Sequence, residues 1–250
     1  MRLEINPEYN YLENFVLSLP NRFEKDGTCI YDGRNKIKVF EESGLSLNVK
    51  SYKIPIFFNR IAYTFFRKSK AYRAFSYAFE LQRRGVETPT PIAYLETRKG
   101  GLLHRSYFVS LQFETEGNLR EFLDEDTTNE GKEELMDAFA EFTAELHEKE
   151  VLHIDYSPGN ILYKRVDGHY LFSLIDINRM AFRPVSLKEG CYNFRRICGN
   201  DNFFTRVATR YAQKRGFDEK ECVRLFLRYK YEDREQRSRK KRFKKFFGKN

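Results

Sequence analysis

The sequence is short of the residues that build disulfide frameworks and metal clusters. It has four cysteines and four histidines in 250 residues. No two cysteines form a C-x-x-C pair and the histidines are scattered, so we expect neither a disulfide framework nor a zinc site. We expect ordinary packing roles for the four cysteines, which are Cys29, Cys191, Cys198 and Cys222.

Tryptophan and long apolar runs are also missing. No stretch approaches the ~20 apolar residues that a membrane-spanning helix needs, and the N-terminus lacks the apolar core of a signal peptide. We therefore expect a cytoplasmic chain. Hydrophobic residues still make up 41% of the sequence, with 24 Phe and 16 Tyr, which is enough to build a core.

Acidic residues are scarce at the C-terminal end. Positions 233–250 contain nine Lys or Arg and two acids, a net charge of +7 out of +9 for the chain. The other positions carry only +2, which is not the pattern of a uniformly basic nucleic-acid binder, so we expect no nucleic-acid partner. The tail also contains Phe243, Phe246 and Phe247. Aromatic and basic residues together can bind RNA, but confinement of the charge to the tail disfavours that alternative.

Two short motifs carry the functional prediction. Residues 153–160 read H-I-D-Y-S-P-G-N, and Asp176 follows Asn160 by sixteen residues. An Asp and an Asn five residues apart, followed by a second Asp, is typical of kinase-like phosphoryl-transfer sites. In that pattern Asp155 accepts or orients the proton of the substrate hydroxyl. Asn160 and Asp176 offer the hard oxygen ligands that suit Mg²⁺ on nucleotide phosphates.

The flanking sequence gives these motifs a suitable setting. Short buried strands are predicted at 151–152 and 161–163, and a returning strand at 170–175 follows the Asp-Gly turn at 167–168. Asp176 is then expected just past a strand end, close to Asn160. A helix predicted at 133–149 has apolar residues at helical spacing and would position the loop that carries Asp155.

The remaining pattern predicts a small antiparallel sheet with helices, followed by a mostly helical half. Five strands are predicted, at 28–31, 36–40, 45–52, 92–96 and 105–111. Residues 112–114 would form a hinge after the last of them. Five further helices are predicted, at 55–66, 70–84, 186–198, 203–215 and 219–231.

With these motifs and this order of elements, the chain resembles the lipopolysaccharide-core kinases, the Kdo-kinase and heptose-kinase group of protein-kinase-like folds. Segments 85–92, 151–162 and 174–180 carry the resemblance. It implies an α+β, bilobal protein-kinase-like fold with a small antiparallel-sheet N-lobe and a mostly helical C-lobe. The implied kinase-like domain is 1–232, with lobes at about 20–112 and about 117–232, and 233–250 is a basic aromatic tail.

The resemblance also implies nucleotide-binding residues. Lys50 matches the third-strand lysine that positions the α- and β-phosphates. Lys53 is the competing candidate, because alternation along a strand points the two lysines in opposite directions. Glu80, the only Glu on its predicted helix, is the expected acidic partner of Lys50. Gln112 and Glu114 in the hinge segment are expected to bind the nucleotide.

Three features depart from the family pattern. The family position of the acidic partner of the lysine falls near Ser76, one helical turn before Glu80. The turn expected to cover the phosphates reads D-G-R-N at 32–35 and is not G-x-G-x-x-G. The nucleotide would then be held by fewer backbone amides, or with help from Arg34 or Asn35. The second motif reads D-I-N and is not D-F-G, but metal binding requires only Asp176.

Three functions are compatible with the sequence. The first is an ATP- and Mg²⁺-dependent kinase that phosphorylates a Kdo or heptose hydroxyl of the lipopolysaccharide core or Kdo-lipid A, at the cytoplasmic surface of the inner membrane. The second is a noncatalytic nucleotide-binding module. The third is a kinase for another small molecule or a protein. About ten residues separate Asp176 from the next predicted helix, too few for a protein-kinase activation loop. The oligomeric state is left open.

The tail generates a testable prediction. If 237–247 is helical, Phe243, Phe246 and Phe247 share one face, which is the pattern of an interfacial anchor. Deleting residues 237–250 is expected to leave ATP binding unchanged and to lower cosedimentation with anionic vesicles. Added salt should weaken binding of the intact chain, because exposed charges are screened beyond ~8 Å at physiological ionic strength. If the truncated and the intact protein cosediment equally with anionic vesicles at low salt, the tail is not a membrane anchor.

Overall fold

The computed structural model describes residues 1–122, 132–197 and 199–247, apart from the side chains of 121, 122 and 244–247. The polar stretch 124–131, Cys198, residues 248–250 and the side chains of Phe246 and Phe247 lie outside the described residues. The chain divides into two compact units. The first contains Met1–Glu114 and Ile175–Arg179, and the second contains Thr115–Leu174 and Met180–Asn250.

The first unit is built on one six-stranded antiparallel sheet in the order β1-β5-β6-β4-β3-β2. Its strands are β1 (Arg2–Ile5), β2 (Thr28–Asp32), β3 (Lys36–Glu42), β4 (Leu45–Tyr52), β5 (Pro91–Lys99) and β6 (Leu102–Leu111). All five predicted strands are therefore confirmed. β1 was not predicted.

Three helices accompany this sheet: α1 (Glu13–Arg22), α2 (Phe57–Phe65) and α3 (Lys70–Arg83), with a 3-10 helix at Pro7–Leu12 before α1. Helices α2 and α3 confirm the predictions at 55–66 and 70–84. Ser69 caps α3 by accepting a hydrogen bond from the Tyr72 backbone N–H at 3.0 Å, as N-cap serines do. Gly85, with a φ of 65°, follows its end, in the left-handed conformation that glycine adopts at low cost.

Side-chain alternation on β4 separates a core face from a functional face. Leu47 and Val49 are fully buried and belong to the core cluster that also contains α1 residues. Tyr52, two positions from Lys50, packs in a second cluster with Ala71 and Phe75 of α3. Because successive side chains of a strand point to opposite faces, Lys50 and Tyr52 share the face on which α3 packs.

The second unit is mostly helical. Its helices are α4 (Glu133–Glu148), α5 (Leu187–Asn193), α6 (Asp201–Arg215) and α7 (Glu219–Phe247). Its strands are β7 (Gly117–Asn118), β8 (Val151–His153), β9 (Ile161–Val166), β10 (His169–Leu174) and β11 (Met180–Phe182). An aromatic core holds the helices together: Phe194 contacts Phe139 of α4, Tyr211 of α6 and Phe226 of α7, with ring centroids 4.4–5.7 Å apart.

This architecture confirms the predicted α+β class and the antiparallel β9–β10 hairpin. Two boundary predictions need correction. α5 ends at Asn193 and is followed by a 3-10 turn, Phe194–Arg196, where a helix to residue 198 was expected. α7 continues past Tyr231 to Phe247 without a break.

The packing role predicted for the cysteines holds only in part. Cys29 is exposed on β2 and has no packing role, whereas Cys191 and Cys222 are buried, unbonded thiols 3.6 Å apart. No described helix is both long and apolar enough to cross a membrane.

A buried polar chain links α4 to the start of the loop that carries Asp155. Arg215 donates to the Tyr211 hydroxyl, which lies 2.9 Å from His147 Nδ1. His147 Nε2 lies 3.3 Å from Asn193 Oδ1, and the Asn193 amide donates to the His153 carbonyl. These partners suit a neutral imidazole with its proton on Nε2. Burial lowers the pKa of His147 to about 3.

The second prediction is a pH effect on stability. An unfolded histidine binds a proton below pH ~6.5 whereas folded His147 stays neutral, so its contribution is present above pH ~6.5 and is lost as the pH falls toward ~3. We expect the free energy of unfolding to lose about 2 kcal/mol through this group between pH 6.5 and 5. His147→Gln should show a flatter profile in urea titrations, and the exposed His169→Gln should keep the wild-type slope. Identical slopes in all three proteins would contradict the assignment.

Candidate active site

The centre of the first unit's functional face is an ion pair. Lys50 Nζ of β4 lies 2.6 Å from Asp176 Oδ1. Only 12% of the Lys50 side chain and 28% of the Asp176 side chain are exposed. The Lys50 ammonium also lies over the Tyr52 ring, 5.4 Å from its centroid. The structure thus brings together two residues that the sequence assigned to phosphate positioning and to metal binding.

The backbone of Asp176 has an uncommon conformation. Asp176 follows β10 closely and has a φ of 54°. Only a few per cent of residues other than glycine adopt positive φ, with Asp and Asn enriched among them. The Asn178 amide donates to Asp176 Oδ1 at 2.5 Å, so Asn178 and Lys50 converge on one carboxylate oxygen. Strained backbone of this kind is concentrated at functional sites.

Further cations surround this carboxylate. Lys70 at the start of α3 interacts electrostatically with Asp176, and its pKa is lowered by burial and by the positive charges of Arg34, Lys50 and Arg73. Burial, and then the negative charge of Asp176, raises the pKa of Tyr52 well above its usual value. This face of the first unit therefore presents an excess of positive charge, which suits an anionic group such as a nucleotide phosphate.

Glu80 does not fill its predicted role as partner of Lys50. Its carboxylate accepts hydrogen bonds from Arg83 at 2.6 and 2.9 Å and from Arg84 at 2.6 Å. These bonds lower the pKa of Glu80 to about 2. Glu80 and Arg84 are one helical turn apart on α3, and residues at that spacing meet on the helix surface. The structure therefore pairs Lys50 with Asp176 and engages Glu80 locally.

The predicted hinge residues follow the end of β6. The Gln112 backbone N–H donates to the Ser46 carbonyl at 2.8 Å, and its side-chain oxygen accepts from the Asn48 amide at 2.8 Å. These bonds continue the β4–β6 ladder beyond Leu111. Glu114 is exposed and is the last residue of the first segment of this unit. Roles of Gln112 and Glu114 in nucleotide binding stay predictions.

The second unit holds the loop with the H-I-D-Y-S-P-G-N motif. His153 is fully buried, and its Nδ1 accepts the Asp155 backbone N–H at 3.1 Å. The Asn160 amide donates to the Asp155 carbonyl at 2.9 Å. This bond fixes the orientation of the Asn160 side chain, so its Oδ1 is the atom suited to a cation. Asp155 and Asn160 are thus brought together, with His153 positioning the loop.

Two arginines beside this loop were not predicted. Arg196 donates to the Asp155 carboxylate from the 3-10 turn after α5. The Arg120 guanidinium lies against Gly159, where a Cβ would be 2.5 Å from Arg120 Nη2, so a larger residue there would require the Arg120 side chain to move. Neither arginine belongs to a short motif. Arg196 is 41 residues from Asp155 in sequence, and only the packing of α5 brings it there.

Each unit offers one oxygen ligand of the kind that Mg²⁺ accepts. Among the described residues, no cluster of three or more His, Cys, Asp or Glu side chains could hold a metal by itself. Mg²⁺ is usually bound through one or two carboxylates plus substrate phosphates and water. The Asp176 carboxylate in the first unit and the Asn160 amide oxygen in the second are each a ligand of the appropriate hardness, and neither would hold the ion without further oxygen ligands.

Comparison with known families gives an independent view of the chain. The profile of the family described as lipopolysaccharide kinase (Kdo/WaaP) matches residues 36–225. The match covers most of the chain and includes Lys50, Asp155, Asn160 and Asp176. No curated protein sequence matches the chain significantly.

Among solved structures, the chain is similar to WaaP in complex with acyl carrier protein. The TM-score is 0.61 and the sequence identity is 17%, over 94% of this chain and 99% of that one. At this identity the comparison establishes a shared fold, and the mixed arrangement of antiparallel sheet and helices is that fold.

The geometry separates the two candidate lysines. Lys50→Met removes the cation that contacts Asp176, and we expect phosphoryl transfer from ATP to fall by about 10²-fold or more, as when a charge-stabilising donor is lost. Lys53→Met should cause a much smaller loss, because Lys53 is exposed. Transfer rates and calorimetric ATP affinities of both variants measure the difference. A larger loss in Lys53→Met would reverse the assignment.

Proposed function

Because the chain belongs to the lipopolysaccharide kinase (Kdo/WaaP) family, we propose that it transfers the γ-phosphoryl group of ATP to a Kdo or heptose hydroxyl of the lipopolysaccharide inner core. The observation that carries the proposal is the family match over residues 36–225, a range that contains Lys50, Asp155, Asn160 and Asp176. The two local clusters support it: Lys50 with Asp176, and Asp155 with Asn160. On this proposal the fold is the bilobal protein-kinase-like one.

The acceptor oxygen attacks the γ-phosphorus while the bond from that phosphorus to the β–γ bridging oxygen breaks, which releases ADP. The Asp155 carboxylate accepts the hydroxyl proton as the new bond forms, a role that requires only a positioned acceptor. Arg196 holds that carboxylate in place. A magnesium ion bound by Asn160 and Asp176 would neutralise phosphate charge.

Lys50 and Asp176 have complementary tasks in this reaction. The ammonium of Lys50 would donate to the α- and β-phosphates, and the Asp176 carboxylate would help to hold the magnesium ion that neutralises phosphate charge. The ion pair at 2.6 Å keeps the Asp176 carboxylate beside the face of β4 that carries Lys50. Nucleotide binding would replace this direct contact by contacts of Lys50 with phosphates and of Asp176 with the metal. Neither partly buried charge would then be left without a partner.

The acceptor is expected to be a membrane lipid, so the proposed location is the cytoplasmic surface of the inner membrane. The basic residues on α7 suit an anionic leaflet, since each Lys or Arg near such a surface contributes about 1 kcal/mol. The alternative of a noncatalytic nucleotide-binding module predicts ATP binding without transfer, and the assay below distinguishes the two.

Two substitutions test the assigned roles. Asp155→Ala is expected to leave ATP affinity nearly unchanged and to lower transfer to purified lipopolysaccharide core by about 10²- to 10⁴-fold, because it removes only the proton acceptor. Asp176→Asn should abolish Mg²⁺-dependent transfer, because a neutral amide replaces the charged metal ligand. Mass spectrometry of the acceptor, to detect one added phosphate, and calorimetric ATP titration measure the two effects.

Matched controls are available in the same chain. Asp137→Ala removes a carboxylate that pairs with Arg206 on the surface. Asp167→Asn makes the same change as Asp176→Asn at another residue with positive φ, 51°, where asparagine is also tolerated. Both controls should retain transfer. Full activity in Asp155→Ala or Asp176→Asn would contradict the roles, and a wild-type protein that binds ATP without transfer would support the noncatalytic alternative.

A further inference from the structure

Helix α2 is attached to its sheet by polar groups and turns its phenylalanines outward. Arg60 donates to the Leu103 and Lys99 carbonyls at 2.8 and 3.0 Å. The Leu103 backbone N–H donates to the Thr64 hydroxyl at 2.9 Å. A surface helix of a globular protein normally buries its apolar stripe against the core. None of the nine described residues of α2 is buried.

The outward face is made largely of phenylalanine. Phe57, Phe58, Phe65 and the next residue, Phe66, are 59%, 78%, 68% and 82% exposed. Phe58 and Phe65 are seven residues apart and share a helix face. Ile54 and Ile56, just before the helix, are 41% and 69% exposed. We call these six side chains the α2 apolar face. A contiguous patch of this kind marks an interaction surface.

The chain around this face carries only positive charge. Residues 43–79 contain no Asp or Glu and seven Lys or Arg. Three of these basic residues, Arg67, Lys68 and Lys70, follow Phe66 almost directly. Large apolar side chains beside basic residues are typical of helices that lie in the interface of an anionic membrane, where apolar burial and charge attraction act together.

A cavity of about 400 Å³ adjoins the helix. Asn59 and Tyr63 of α2 line it together with Ile54 and Ile56 of the α2 apolar face. Its charged lining residues are Arg34, Lys53 and Lys70, and none of its eleven described lining residues is acidic. The cavity therefore combines three cations with apolar walls that continue into the α2 apolar face.

We propose that the α2 apolar face and the adjoining cationic cavity form a docking site for anionic phospholipid membranes. The phenylalanines enter the boundary between headgroups and acyl chains, and a lipid phosphate binds among Arg34, Lys53 and Lys70. A protein partner with an apolar surface would explain the phenylalanines, but it would not require a segment free of acidic residues and a cationic cavity that continues into the phenylalanines. This inference extends the proposed function by naming the surface that meets the membrane.

The absence of tryptophan from the chain permits a direct test. Phe58→Trp and Phe65→Trp each introduce a single fluorescent reporter into the α2 apolar face of the full-length protein. With phosphatidylcholine vesicles that contain phosphatidylglycerol, we expect a blue shift of the emission and quenching by lipids brominated on their acyl chains. Tyr11→Trp, at a 61% exposed position outside α2, is the matched control and should show neither effect.

Removal of the face completes this test. Phe58→Asn/Phe65→Asn is expected to lower partitioning onto the anionic vesicles by at least about tenfold, since each buried phenylalanine contributes more than the 1.4 kcal/mol that a factor of ten requires. Phe243→Asn on the tail should have a smaller effect. Unshifted emission at positions 58 and 65 with bound vesicles would overturn the proposal. A blue shift that rises with protein concentration without vesicles would assign the face to a second copy of the chain and also overturn it.

The cavity has its own measurement. Lys53→Gln should lower binding to vesicles with phosphatidylglycerol several-fold and leave binding to pure phosphatidylcholine unchanged. If Lys53→Gln instead weakens ATP affinity and leaves vesicle binding intact, the cavity binds nucleotide phosphate and its lipid role is wrong. The membrane-docking readouts need no turnover. They can fail while transfer to a soluble core oligosaccharide succeeds, and they can succeed while that transfer fails. The docking proposal and the proposed kinase function are therefore tested separately.

Discussion

The ion pair between Lys50 and Asp176 spans 126 residues of sequence and fixes the chemistry of the first unit. Through it, segment Ile175–Arg179 belongs to the unit built on the β1–β6 sheet although its neighbours in sequence do not. The pair neutralises one carboxylate in a face otherwise rich in cations. Without Asp176, Lys50 and Lys70 would repel each other across a partly buried surface, so the carboxylate also makes that cluster of positive charge possible.

The second unit positions its loop by a different device. Here buried polar side chains that satisfy one another run from α6 through α4 to the His153 carbonyl, and an aromatic core surrounds them. Paired buried polar groups specify a unique packing, because any shift would leave a donor or acceptor without a partner. Arg196 is placed by the same packing, because it lies two residues after the core residue Phe194 in the same 3-10 turn.

Local pattern was sufficient for much of this architecture. Strand alternation and turn residues predicted the β9–β10 hairpin and β4, and helical spacing predicted α3, α4 and α6. β1 and α1 were missed although Phe15, Val16 and Leu19 of α1 are buried, because Pro20 and the short apolar stretch obscure the helical period. The Lys50–Glu80 pair failed for a physical reason: two arginines within one helical turn of Glu80 compete for it. Arg120 and Arg196 depend on tertiary packing, which no local pattern records.

The outward-facing phenylalanines of α2 also affect how the protein behaves in bulk water. Exposed apolar side chains attract one another between molecules, while a net charge of +9 keeps molecules apart at low ionic strength. Salt weakens the repulsion and leaves the attraction in place. The colloidal stability of the free protein is therefore set by a balance between these two surface properties, and a purification in high salt, which is the usual choice for a basic protein, favours its aggregation.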